Sequence, residues 1–194
     1  MDVTFSRTGE RRYSVTVDLG PRAPRPRMEP APGCHEHLQH DLVHLMVERH
    51  WRLREGIYGQ LAGGGDASTF RPVDQLRTRR TARAMARRNT PGADVGRSER
   101  LAAVAFAAWQ ARHGPRGKPL PAATAPDRLA AAGATERELA AAVDRLDELA
   151  PRWHALGVGG ALTLPWPVAP GRRPGRGRQR RVSSSSWTAG PAGG

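Results

Sequence analysis

This sequence of 194 residues has very little cysteine, lysine, isoleucine and asparagine. Cys34 is the only cysteine, Lys118 the only lysine, Ile57 the only isoleucine and Asn89 the only asparagine. One cysteine excludes an intrachain disulfide and agrees with a reducing cytoplasm. Long apolar runs are missing too. The longest, Leu101 to Trp109, is nine residues, too short to span a bilayer. The opening stretch MDVTFSRTGERR contains no apolar run, so no signal peptide is expected. These absences predict a soluble, cytoplasmic protein with no membrane partner. Aromatics are missing altogether from residues 72–89, which leaves that stretch no platform on which nucleic-acid bases could stack.

The chain does have arginine. Its formal net charge is +13. The near-absence of Lys, Ile and Asn beside abundant Ala, Arg, Gly and Pro is the signature of G+C-rich coding, so part of the arginine content is codon bias. Position says more than total. Arg71 to Arg88 carries seven Arg against one Asp, and Gly171 to Arg181 carries six Arg and no acid. The first stretch is predicted as a helix over 72–89 with Pro72 in its first turn. Arg77, Arg80, Arg83 and Arg87 on that helix are candidate contacts to a nucleic-acid phosphate backbone. From about Ala169 the chain is Pro, Gly, Arg and Ser with almost no apolar content. It cannot offset the entropy of ordering, so residues 169–194 are predicted to be a disordered basic tail behind a single domain over 1–168.

Five of the seven histidines fall between His35 and Trp51, in HEHLQHDLVHLMVERHW. At 3.6 residues per turn this segment reads as a helix with two unlike sides. Leu38, Leu42, Leu45 and Met46, widened by Val43 and Val47, form one side. His37, His40, Asp41, His44 and Glu48 form a stripe on the other. His40 and His44, one turn apart, can both turn a ring nitrogen to one metal ion, zinc or another divalent transition metal, with His37 as a further ligand. Asp41 and Glu48 would orient a ring or act on a metal-bound water. The competing reading is a solvated or hydrogen-bonded polar face, which any surface helix can show.

The run from His40 to His50 also carries a resemblance. His40-Asp41-x-x-His44 is similar to the zincin motif H-E-x-x-H. Extended to His50 it resembles the metzincin pattern, and its H-x3-H-x5-H spacing resembles that of the small bacterial metal-dependent endoribonucleases that mature ribosomal RNA. The resemblance covers 11 of the 194 residues. It implies His40 and His44 as ligands and Asp41 as the base. Two positions depart from it. Asp41 is one methylene shorter than the family's Glu, and Val47 stands where a Gly would turn the chain. With Val there the helix is expected to continue, carrying His50 about a third of a turn away from His44.

The remaining segments define the fold class. Val3 and Phe5, then Tyr13, Val15 and Val17, alternate with polar residues around Thr8-Gly9-Glu10, which predicts a β-hairpin over 2–18. Residues 20–34 read as an extended connector and Gly56 to Phe70 as a flexible loop. Ser98 is expected to cap a helix that runs to His113. A short helix near 126–132 precedes another that opens on the capping box Thr135-x-x-Glu138, with Leu139, Val143, Leu146 and Ala150 as its buried seam. The acidic residues of that last helix argue against reading the pair as a DNA-binding helix-turn-helix. Residues 158–166 are expected to form a strand beside the hairpin. The sum is an α+β fold: a small antiparallel sheet of hairpin plus C-terminal strand, packed with four or five helices. Three function classes follow: a metal-binding protein with hydrolase-like chemistry, a nucleic-acid-associated protein, and a non-catalytic scaffold.

Overall fold

The computed structural model describes residues 1–21, 23, 25–31, 38–65, 70–72, 83, 93–113 and 126–167. Its framework is the expected hairpin. Strand β1 (Asp2–Gly9) pairs antiparallel with β2 (Arg12–Asp18), with a register irregularity between Arg7 and Gly9. On the other side of β1 lies β5 (Ala161–Pro165), with Val3 opposite Leu164 and Phe5 opposite Leu162. The inward row of all three strands is apolar and buried: Val3, Phe5, Tyr13, Val15, Val17, Leu162 and Leu164. The outward row is polar, and Thr4 and Thr163 meet there, their hydroxyl oxygens 2.9 Å apart. This period-2 alternation makes one face core and the other solvent.

Two short strands extend the sheet. The connector expected over 20–34 contributes β3 (Pro26–Met28), which pairs with β2, and β4 (Arg71–Pro72) pairs with β3. The order is β4-β3-β2-β1-β5, antiparallel at every pairing. Pro72, expected in the first turn of a helix, sits instead in this edge strand, a position that suits a residue without an N–H.

Five helices are bounded among the described residues. They are α1 (His40–His50), α2 (Ile57–Ala62), α3 (Ala93–His113), α4 (Pro126–Ala131) and α5 (Glu136–His154). The fold is α+β, as the pattern of elements predicts. Both halves of the Thr135–Glu138 capping box form at the start of α5. Gly133, at φ +67°, makes the turn before it. α3 starts at Ala93, five residues before the expected cap, so Ser98 lies inside the helix. No helix among the described residues is long and apolar enough to cross a membrane.

The central element is α1. Asp41 through Glu48 are all buried, so Asp41, His44 and Glu48 of the polar stripe are enclosed, while His40 is exposed. The sheet takes one side, where Tyr13 donates to the Asp41 carboxylate. α3 takes another, where Ser98 meets both His44 and Glu48.

The segment read as a flexible loop holds α2, and its start depends on α1. Glu48 is fully buried, and its carboxylate accepts from the backbone N–H groups of Ile57 (2.8 Å), Tyr58 (2.9 Å) and Gly59 (3.3 Å). These are N–H groups that the first turn of a helix cannot satisfy internally. A carboxylate placed there satisfies them and complements the helix dipole.

Candidate metal centre

Two imidazoles and one carboxylate converge where α1 passes α3. His40 and His44 stand one turn apart on α1, their ring centroids 4.5 Å apart and their Nε2 atoms 3.3 Å apart. Glu99 of α3 places its Oε2 3.4 Å from His44 Nε2. One ligand atom from each of the three residues lies within 4.8 Å of the others. Ligands of a tetrahedral zinc ion at 2.0–2.1 Å sit about 3.3 Å from one another. Two of the three separations have that length.

Burial grades across the site. His44 has no exposed surface, whereas His40 is exposed and the Glu99 side chain is 55% exposed. One candidate ligand is therefore anchored in the core and two stand at the surface. The protein covers one side of the ligand triangle and leaves the other to solvent.

A hydrogen-bond chain behind His44 decides which nitrogen points outward. Ser98 donates its hydroxyl proton to Glu48 Oε1 at 3.0 Å. Its oxygen is then free to accept, and His44 Nδ1 lies 2.8 Å away. Nδ1 therefore carries the ring proton, and Nε2 turns its lone pair toward His40 and Glu99. A ligating histidine held through its second nitrogen in this way has a set tautomer and ring orientation. Burial, and then the charge of His40, push His44 down to about 3, so the ring is neutral at physiological pH and Nε2 can act as a ligand.

The chain ends in a carboxyl with unusual surroundings. Burial raises Glu48 to about 7, against the pull of the Ile57 N–H, the Ser98 hydroxyl and the N–H groups of Tyr58 and Gly59. Each of these neighbours is a donor, so the ionised form is the one that the cradle satisfies.

The other residues singled out in the sequence are placed as follows. Asp41 is turned to the sheet. Tyr13 donates to its carboxylate and Tyr58 donates to its backbone oxygen at 3.0 Å. Burial raises the Asp41 carboxyl above its ordinary value, while the Tyr13 hydroxyl and His40 pull it down and Glu99 pushes it up. It is thus close enough to feel both His40 and Glu99, though it is not one of the convergent three. α1 continues through His50, whose ring packs edge-on to Trp51 and bonds to the backbone of Glu138, away from His44. His37 lies outside the described residues, as do Arg77, Arg80 and Arg87; Arg83 is helical and exposed.

Sequence reasoning missed Glu99 and the relay through Ser98. One signal was available. Ser98 stands at i to Leu101, Ala102, Ala105 and Trp109 at i+3, i+4, i+7 and i+11, all buried. A serine on that stripe is a polar group drawn into the core, and such a group needs a partner.

No protein-family model matches this chain, and neither curated proteins nor solved structures yield a match. A functional reading rests on this geometry alone.

Proposed function

We propose that the protein binds one divalent transition metal ion, zinc foremost, through His40 Nε2, His44 Nε2 and a Glu99 carboxylate oxygen, and that it uses this centre for hydrolytic chemistry. The observation that carries the reading is the convergence of those three ligand atoms within 4.8 Å, two of the separations being of tetrahedral length, with the Ser98 hydroxyl placed to keep the ring proton on His44 Nδ1.

Two imidazoles and a carboxylate form a donor set used by catalytic zinc sites, which keep a fourth position for water or substrate. The exposed side of the triangle supplies that position. A bound ion would act as a Lewis acid and lower the pKa of a coordinated water toward neutrality. The chain's own residues provide the frame. Ser98 and Glu48 hold the proton on His44 Nδ1 and so make Nε2 a better donor. Glu48 is a positioning residue, acting through Ser98. Asp41, tied to Tyr13, fixes the first turn of α1 to the sheet and so fixes where His40 and His44 stand.

Cobalt substitution tests the proposal directly. Chelator-treated full-length protein, titrated with Co(II), should develop the visible absorption of a four-coordinate ion and saturate at one equivalent. His44→Ala and Glu99→Ala should abolish it. The zinc-loaded protein should then be assayed on phosphodiester, ester and peptide substrates beside Glu99→Ala. A cobalt spectrum that never saturates, or one that both variants retain, would overturn the assignment. A saturable site with no turnover on any substrate would leave the metal and remove the hydrolase.

A further inference from the structure

A second site lies on another side of α1. A groove of about 540 Å³ opens between α1, α5 and β5, lined by Arg49 and His50 from α1, Arg145, Glu148 and Arg152 from α5, and residues of β5. Its volume is within the range that holds a small ligand. The floor is apolar, with Met46, Leu149 and Leu164 all buried. The rim is cationic, three guanidinium groups facing one carboxylate.

That carboxylate is already engaged, since Glu148 pairs with Arg145 at 3.0 Å. Among the described residues neither Arg49 nor Arg152 has an ion-pair partner. Arg49 is half-buried, and burial followed by the nearby charge of Arg145 pulls its pKa below the usual value. A partly desolvated guanidinium beside a like charge is an unfavourable arrangement unless an anion joins it. His50 is held by the backbone of Glu138 and by Trp51, so this wall of the groove is set in place.

We infer that this groove binds a phosphate-bearing ligand, its phosphate held by Arg49 and Arg152 and its less polar body lying on Met46, Leu149 and Leu164. Guanidinium forks match phosphate oxygens in pairs, and several forks around one pocket suit a group with more acceptor oxygens than a single carboxylate offers. The chain's own C-terminal segment does not fit. Beyond Pro167, Gly171 to Arg181 brings six Arg and no acid, the same sign as the rim. The occupant comes from outside the chain, either as a free phosphate compound or as a nucleic-acid backbone, and it does not depend on the metal.

The test uses full-length protein in chelator with three probes: inorganic phosphate, adenosine monophosphate and a labelled single-stranded oligonucleotide. Three variants accompany the wild type: Arg49→Gln, Arg152→Gln, and one in which Arg172, Arg173, Arg176, Arg178, Arg180 and Arg181 are all glutamine. Saturable binding of phosphate or the mononucleotide, weakened at least tenfold by Arg49→Gln and by Arg152→Gln and kept by the third variant, establishes the site with a free ligand. The same arginine dependence for the oligonucleotide alone assigns it to a nucleic-acid backbone. Arg152 is exposed, so its loss should leave the melting temperature unchanged and report binding even if Arg49→Gln perturbs packing. No binding of any probe, binding that survives both groove substitutions, or binding lost only in the third variant would overturn the inference.

Discussion

His44 Nδ1 lies 2.8 Å from Ser98 Oγ, across 54 positions of sequence, and this bond joins a buried imidazole on α1 to a buried serine on α3. Ser98 passes the connection on to Glu48 at 3.0 Å. Replacing Ser98 with alanine removes both bonds and leaves Nδ1 buried without its acceptor. Zinc affinity should fall by about 10- to 100-fold, as for other losses behind a ligating histidine. Metal-free stability should fall by about 1–3 kcal/mol. Chelator competition reads the first and denaturant unfolding the second. Unchanged zinc affinity would show that the relay does not orient the ligand.

Glu48 makes a pH-dependent prediction for the metal-free protein. Its folded pKa is raised from 4.5 to about 7. Between those values the folded state holds a proton that the unfolded state has released, so the contribution of Glu48 to stability falls as pH rises. It is fully present below pH 4.5 and lost by about pH 7. His44 runs the other way. Its pKa is lowered from 6.5 to about 3, so its contribution is present above pH 6.5 and lost as pH falls toward 3. Asp41, also raised, acts in the same direction as Glu48. The wild type alone therefore blends opposing slopes. The difference between wild type and Glu48→Gln isolates Glu48: the destabilisation by the substitution should shrink by ~3 kcal/mol from pH 4.5 to pH 7. Unfolding titrations of both proteins across that range check this. A difference that grows with pH would reverse the assignment.

Gly56 leaves no room for a side chain beside the buried carboxylate. A Cβ built there would stand 2.5 Å from both oxygens of Glu48. Gly56→Ala should therefore push Glu48 out of the cradle that starts α2 and destabilise the protein by about 1–3 kcal/mol, the usual range for overpacking. Since Glu48 holds Ser98, zinc affinity should fall as well. Thermal melts with and without zinc report both effects, and wild-type behaviour in both would mean that the cradle tolerates displacement.

The exposed members of the proposed site separate metal binding from folding. Glu99→Ala and His40→Ala change surface side chains, so metal-free stability should stay within about 0.5 kcal/mol of wild type. Zinc at a hundredfold excess over its Kd should stabilise the wild type by about 2.7 kcal/mol through mass action. Neither variant should gain that increment. Equal stabilisation of all three proteins by zinc would place the metal elsewhere.

The parts of the fold that local pattern encodes were legible in the sequence. Alternation at Val3, Phe5, Tyr13, Val15 and Val17 marked the hairpin, the segment around Leu162 and Leu164 marked the strand that closes on it, and Thr135 with Glu138 marked the start of α5. What failed depended on long-range partners. Gly63, Gly64 and Gly65 suggested a loop over the whole segment, and nothing nearby shows that Glu48 will satisfy the first N–H groups of α2. Pro72 suggested a helix start because its strand partner, Pro26, is far away in sequence. The histidine stripe was visible at the correct spacing, but the burial of His44 was not, since its partner Ser98 comes from α3. Glu99 gave no local sign of joining the cluster, whereas its neighbour Ser98 marked a buried polar group in need of a partner, through its place on the apolar stripe of α3.

The most direct test is the metal content of untagged full-length protein purified without chelator, measured beside Glu99→Ala and His40→Ala. Convergence of His40, His44 and Glu99 predicts close to one equivalent of zinc or another divalent transition metal in the wild type and little in either variant. Wild-type protein that stays metal-free after incubation with zinc, or variants that keep a full equivalent, would contradict it.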